Sequence, residues 1–217
     1  MTSGSLLAQP HIGTDEAGKG DYFGDLVVAA VYADRVALER LPQAGVRDAK
    51  LVANSSLARL ERAVRQICPA VEVVRISPLR YNELYAQMRN LNRLLAWAHA
   101  RAIENLLARV DCGLAVADQF GDARFLEESL MKRGRRVRLV QQVRAESDPA
   151  VAAASVLARA EFLRSIERAS ARAGLELPRG ATHVVQAAQQ VLAAGGQELL
   201  RQVAKLHFKT TKQVLSG

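Results

Sequence analysis

Two adjacent carboxylates, Asp15 and Glu16, stand in the segment Gly13–Thr14–Asp15–Glu16–Ala17–Gly18–Lys19–Gly20–Asp21, between an apolar approach and a glycine-bearing turn. Acids at a rigid strand end suit magnesium or manganese, which take a few carboxylates together with water and a phosphate oxygen. Two further acids share that setting. Asp118 ends the apolar run Gly113–Ala117, and Glu146 follows the expected strand Arg135–Val143 and precedes a helix cap. Ligands in α/β sheets gather beyond the carboxyl ends of strands, so Asp15, Glu16, Asp118 and Glu146 can converge although they are distant in sequence. Two cations about 4 Å apart can activate a water on one side of a phosphate and steady the leaving oxygen on the other. Each acid also has a plainer reading: Asp15 as a turn former, Asp118 as a cap for a helix over 119–131, Glu146 as a surface residue near a cap. The turn Gly18–Lys19–Gly20 either lets a ligand approach the backbone or simply reverses the chain. It is not a P-loop, because GxxxxGK[ST] is absent.

The elements that must position these acids follow from the apolar pattern. A strand enters through His11–Thr14 and runs into the charged turn Asp15–Gly20. Phe23–Tyr32 (FGDLVVAAVY) is the strongest strand signal, and the two segments are near enough to pair as an antiparallel hairpin. Pro42–Lys50 is expected as turn and loop. Ser55 or Ser56 would cap a helix to about Gln66, with Leu57, Leu60, Val64 and Ile67 at helical spacing. Val71–Ser77 is another strand. Helices follow from about Pro78 and from Asn92 to Ala108. Gly113–Asp118 and Arg135–Val140 complete the strands, with Asp122 capping a short helix between them. Asp148–Pro149 opens a long alanine-rich helix to about Gly174. Val184–Ala194 and Gln197–Leu206 follow as helices. The order predicts an α/β domain with parallel additions to an antiparallel start, spanning 1–217 as one unit, with residues 1–10 flexible.

Composition sets the limits on function. In 217 residues the hydrophobic share is 49 % and the formal net charge +8, enough for a core and a mild preference for polyanions. The densest basic stretch, Ser129–Ala145, holds Lys132, Arg133, Arg135, Arg136, Arg138 and Arg144 with no acid. It reads either as a phosphate-contacting strip or as a solvated strand face. Cys68 and Cys112 are isolated and offer no zinc spacing. No membrane span or signal peptide is recognisable, so a cytoplasmic protein without a membrane partner is expected.

The stretch GTDEAGKGDYFG (Gly13–Gly24) resembles the opening motif of type 2 ribonucleases H. The resemblance continues in Arg47–Lys50, Tyr81–Tyr85 (YNELY), Asn90–Leu107, Val116–Phe120, Ala145–Leu163, Leu177–Ala181 and Ala204–Leu215. Within that group the chain is more similar to ribonuclease HIII than to HII: Lys19 stands between the glycines, and Glu146 replaces an aspartate. No tyrosine follows Tyr85, whereas HII uses a late one to read an RNA–DNA junction. The resemblance implies a ribonuclease H-like fold, with a central mixed five-stranded sheet flanked by helices and a helical C-terminal part. It implies metal binding by Asp15, Glu16, Asp118 and Glu146, with two magnesium or manganese ions in catalysis. It implies substrate contacts from Gly18, Lys19, Gly20 and Lys50, and from Asn82 and Asn92, either of which could instead cap a helix.

The implied activity is endonucleolytic cleavage of the RNA strand of RNA–DNA hybrids, leaving 5′-phosphate and 3′-hydroxyl ends, by a monomer. The alternatives are HII-like incision at a single embedded ribonucleotide, or hybrid binding without cleavage. The chain departs from the family pattern at Asp25 (commonly proline), Ala49 (commonly serine) and His183. Ribonuclease HIII usually begins with an extra N-terminal domain, and only fourteen residues precede Asp15 here, as expected either of a naturally short form or of a trimmed chain; both readings bear on the strength of hybrid binding and not on the chemistry.

Overall fold

The computed structural model describes residues 9–47, 53–120, 122–143 and 145–216. A mixed five-stranded sheet has the spatial order β3-β2-β1-β4-β5, formed by β1 (His11–Ala17), β2 (Leu26–Ala33), β3 (Ala70–Ile76), β4 (Leu114–Asp118) and β5 (Arg138–Gln142). Both β1–β4 and β4–β5 are parallel. The helices are α1 (Arg35–Gln43), α2 (Asn54–Ile67), α3 (Pro78–Met88), α4 (Leu91–Leu106), α5 (Arg124–Ser129), α6 (Pro149–Ala173), α7 (Val185–Val203) and α8 (Lys209–Leu215). The α/β class, the five-stranded sheet and the helical C-terminal part are those expected.

Contacts group the residues into two compact units. One comprises the chain up to Glu16, Val28–Val74 and Leu91–Ala160. The other comprises Ala17–Val27, Arg75–Asn90 and the chain from Glu161 on.

In the first unit, β2 is buried along nearly its whole length, as its valine-rich run requires. α2 buries Leu57, Leu60 and Val64 and leaves Ile67, picked by the same spacing, half-buried. Its cap position is Ala53, with no side-chain bond, so neither Ser55 nor Ser56 caps it. α1 was not foreseen. Asp34 accepts the Ala37 N–H at 2.8 Å and starts it. Pro42, expected in a loop, lies in its last turn, where the missing N–H forfeits one helical bond only. β5 starts three residues later than expected, because Gly134–Arg136 is a one-turn 3₁₀ helix. The Glu104 carboxylate on α4 accepts the N–H groups of Arg133 (2.8 Å) and Gly134 (2.9 Å) and curls that segment. Asp122 does accept the Arg124 N–H, yet Ala123 holds the cap position of α5.

In the second unit, Gly24 adopts φ +79° and ends the extended run before β2, so Phe23 is left as an isolated antiparallel bridge to Ala204. The two expected C-terminal helices form one element bent at Gly195 and Gly196, whose angles are non-helical. α8 follows and was not anticipated. Lys205 is wholly buried, and its ammonium donates to the carbonyls of Gly24 (2.6 Å) and Phe23 (3.2 Å). Burial pushes this lysine down to about 7, against the pull of Asp21 and Asp25.

Between about pH 7 and the ordinary lysine value, the unfolded chain binds a proton that the folded chain does not, so stability rises with pH across that window. Lys205→Met should flatten this rise, which amounts to a few kcal/mol at its upper end. Urea midpoints from pH 6 to 10 check it; parallel pH profiles for the two proteins would refute it. Among the described residues, no helix is long and apolar enough to cross a membrane.

Candidate functional site

Successive side chains of a strand face opposite sides of the sheet, which divides the adjacent acids of β1. Thr14 and Glu16 share one side, and there the buried His99 of α4 bridges them. Its Nδ1 is 3.0 Å from Thr14 Oγ1 and its Nε2 is 3.1 Å from Glu16 Oε2. The Phe120 ring stacks on the imidazole at 4.8 Å. The Glu16 carboxylate, 5 % exposed, is therefore held in one orientation. His11, Gly13 and Asp15 share the other side, where α6 begins. His11 Nε2 lies 3.0 Å from both carboxylate oxygens of Asp148, and its Nδ1 lies 2.7 Å from the Gln9 carbonyl. Burial alone would depress this imidazole; the carboxylate outweighs burial and raises it above its ordinary value.

Asp148 also caps α6, accepting the N–H groups of Ala150 (2.9 Å) and Val151 (3.0 Å). That is the expected cap, with Pro149 first in the helix. Gly13 permits the approach. A Cβ there would strike the backbone of Ala150 and Val151.

β1 continues to Ala17, so Asp15 and Glu16 lie within the strand rather than in the turn expected after Thr14. Parallel pairing runs Ile12 with Ala115, Gly13 with Val116 and Thr14 with Ala117. The next step of that register sets Asp15 beside Asp118, the last residue of β4. Asp118 pairs in turn with Gln142, the last residue of β5. Its Oδ1 accepts the Ala145 N–H at 3.2 Å, from the 3₁₀ turn Ala145–Ser147 that contains Glu146. Ala145 is buried in an apolar cluster with Leu114, Val116 and Val151, which fixes the backbone of that turn. Three strand ends thus deliver Asp15, Asp118 and the Glu146 backbone to one edge of the sheet. Asp15 Oδ1 accepts the Glu16 N–H at 2.8 Å. Among the described residues, no three His, Cys, Asp or Glu side chains are grouped so as to hold an ion, and the Glu146 side chain is outside that description. Asp15 and Asp118, which the register brings side by side, carry carboxylate oxygens, the donor type a hard divalent cation takes, while Glu16 points to the other side of the sheet with His99.

The remaining site candidates fall as follows. Gly18 takes φ +87°, and a Cβ there would meet the Asp25 carbonyl and the Phe162 ring, so glycine is required. Gly20 has open space around it and, with Lys19, is exposed. The amide of Asn82 donates to the carbonyls of Ala204 (3.0 Å) and Arg201 (3.2 Å), and its oxygen accepts the Leu206 N–H at 2.9 Å. It brackets the C-terminal segment. Asn92 is the second residue of α4 and half-buried, so it does not precede the helix as a cap would. Lys50 and Ala49 lie outside the described residues. Lys132–Arg138 leads into the amino end of β5, roughly 13 Å along the strand from the edge that carries the acids. Arg144 lies outside the described residues.

His11, Asp148, His99 and Gly13 were missed as supports of the acids. A lone histidine in an apolar helix reads as core, and nothing in the sequence pairs His99 with a strand 83 residues earlier.

The family model described as Ribonuclease HII matches residues 12–211. Ribonuclease HIII of Protochlamydia amoebophila is 41 % identical over 207 residues, covering 95 % of this chain and 68 % of that protein. Ribonuclease HIII of Chlamydia pneumoniae is 41 % identical over 213 residues, covering 96 % and 71 %. Among solved structures, Bst-RNase HIII in complex with Mn2+ superposes with a TM-score of 0.86 at 33 % identity, over 96 % of this chain and 70 % of that one. Aquifex aeolicus RNase H3 gives 0.76 at 26 % identity, over 93 % and 72 %.

Proposed function

Because this chain belongs to the ribonuclease HII family and, within it, to the ribonuclease HIII group, we propose that it cuts the RNA strand of RNA–DNA hybrids, leaving 5′-phosphate and 3′-hydroxyl ends. The observation that carries this reading is the parallel register that sets Asp15 beside Asp118, with the Glu146 turn tied to the Asp118 carboxylate. Asp15, Glu16, Asp118 and Glu146 would hold the metal, magnesium or manganese, with two ions engaged in catalysis. The Mn2+ complex of Bst-RNase HIII supports that choice of cation. When bound, such ions stabilise charge on the phosphate and lower the pKa of a water.

The protein's own residues supply the rest. His99 orients the Glu16 carboxylate, and the Ala145 N–H orients that of Asp118, so two acids are set before any cation arrives. The exposed backbone at Lys19 and Gly20 offers donors and acceptors to ribose 2′-hydroxyls, the groups that distinguish RNA from DNA. Lys19, Lys50 and Asn92 are assigned to contacts that set register without reading sequence. The protein acts as a monomer in the cytoplasm.

The test is cleavage of an end-labelled hybrid beside a DNA duplex carrying one ribonucleotide, each with magnesium, manganese or excess EDTA. The hybrid should be cut at many positions in its RNA strand with either metal, and not in EDTA. Preferential incision at the single ribonucleotide would move the protein to HII-type activity. An intact hybrid with both metals would overturn the reading.

A further inference from the structure

In the second unit, the start of α3 and the outer face of α6 enclose a cleft of about 340 Å³ whose walls include Asp25, Arg75, Ser77, Arg168, Arg172 and Gln202. Two sheltered carboxylates organise its arginines. Asp25 Oδ2, 8 % exposed, accepts from Arg75 at 3.2 Å and stands 3.5 Å from Arg168. Glu161, 13 % exposed, accepts from Arg168 (2.7 Å), Arg164 (2.8 Å) and Arg75 (3.1 Å). Burial would raise Glu161; the guanidinium groups of Arg164 and Arg168 hold it below its ordinary value, so it stays charged at neutral pH. The three guanidinium groups of Arg75, Arg164 and Arg168 outweigh the two carboxylates. Arg172 adds a further positive charge, with Nη1 donating to the neutral Gln202 at 3.0 Å. Each guanidinium is a rigid fork of five N–H donors, more than these acceptors use, and such forks match tetrahedral oxyanions. The amino end of α3, capped by Ser77, adds partial positive charge at the same wall.

The cleft also depends on the side chain and the backbone of Asp25. Asp25 supplies the carboxylate that draws Arg75 and Arg168 together. Its backbone N–H donates to Ser165 Oγ at 3.0 Å. Like charges gathered in a small cleft repel one another, and an oxyanion seated among them removes that cost.

We propose that the cleft lined by Arg75, Arg168 and Arg172 is an anion site that takes a phosphoryl group, either from a nucleic-acid strand or from a small phosphate-bearing molecule. Only the nucleic-acid source rests on the hybrid-cutting reading.

The experiment is a titration of the full chain with inorganic phosphate, read by NMR at the arginine Nε–H resonances, against chloride at matched ionic strength. Saturable shifts at these arginines with phosphate alone are expected. Arg172→Gln, an exposed substitution, should weaken binding by about tenfold. Shifts that chloride reproduces, or equal affinity in the variant, would overturn the site. A second arm separates the sources, with hybrid binding measured across salt in calcium, without cleavage. A log–log slope reduced by about one in Arg172→Gln assigns the nucleic-acid strand. An unchanged slope with phosphate binding weakened assigns the small molecule. Cleavage is scored separately: a chain that cuts hybrid without phosphate shifts loses this site and keeps its nuclease reading, and a chain that binds phosphate without cutting does the reverse.

Discussion

Asp118→Asn is expected to lower hybrid cleavage by roughly a thousandfold or more while leaving the fold in place. The side chain ends β4, one register step from Asp15, and its Oδ1 accepts the Ala145 N–H. Asparagine keeps the size of the group and an oxygen that can still accept that bond, so the Glu146 turn stays attached. What disappears is one negative charge among oxygens assigned to a divalent cation. Metal stabilisation of a phosphoryl transition state supplies several kcal/mol, and each 1.4 kcal/mol is about tenfold in rate. Single-turnover cleavage of the labelled hybrid, with manganese binding by calorimetry and a urea midpoint on the same preparations, separates chemistry from folding. Cleavage within tenfold of the wild type would remove Asp118 from the metal set.

Gly13→Ala should cost about 3 kcal/mol of stability or more. The added Cβ would overlap the backbone of Ala150 and Val151, and backbone does not rotate aside as a side-chain tip does. Relief requires α6 to back away from β1, yet Asp148 is tied to the buried His11 and caps the same turn. The strain would therefore spread to the Glu146 turn, and manganese affinity should fall along with stability. Gly113→Ala is the control. Nothing lies within 4 Å of a Cβ at that position, and its effect should stay within about 0.5 kcal/mol. Denaturant midpoints of both variants decide the matter; equal midpoints would show that the helix start yields to the methyl group.

Much of this architecture was legible because it is local. The apolar period of Leu57, Leu60 and Val64 reports a helix face whatever that face packs against. Asp148 followed by Pro149 announces a helix start by the same short-range logic. Local signals also misled. Pro42 suggested a loop where a proline in the last turn costs a helix little. The run from Arg135 reads as strand by composition, but the Glu104 carboxylate captures two of its preceding N–H groups and curls it instead. Phe23 belongs by pattern to β2, and a positive φ at Gly24 separates them.

The four acids were found in the sequence as residues at or just beyond expected strand ends, and the resemblance carried by GTDEAGKGDYFG, VADQF and the stretch from Ala145 gave them their expected role. Their neighbourhood is a tertiary matter. Whether Asp15 meets Asp118 depends on which strands are adjacent and in what register, and a slip of one residue would send one of them to the opposite face. The histidines make the same point. His99 reaches Glu16 across 83 residues and His11 reaches Asp148 across 137, and no periodicity encodes such pairings. The sequence by itself determined most of the elements, the family and the carboxylates available for metal, because spacing and composition act over a few residues. The fold alone decided which partners the buried polar groups have, because a group taken out of water must bond to whatever the sheet register and helix packing bring within 3 Å.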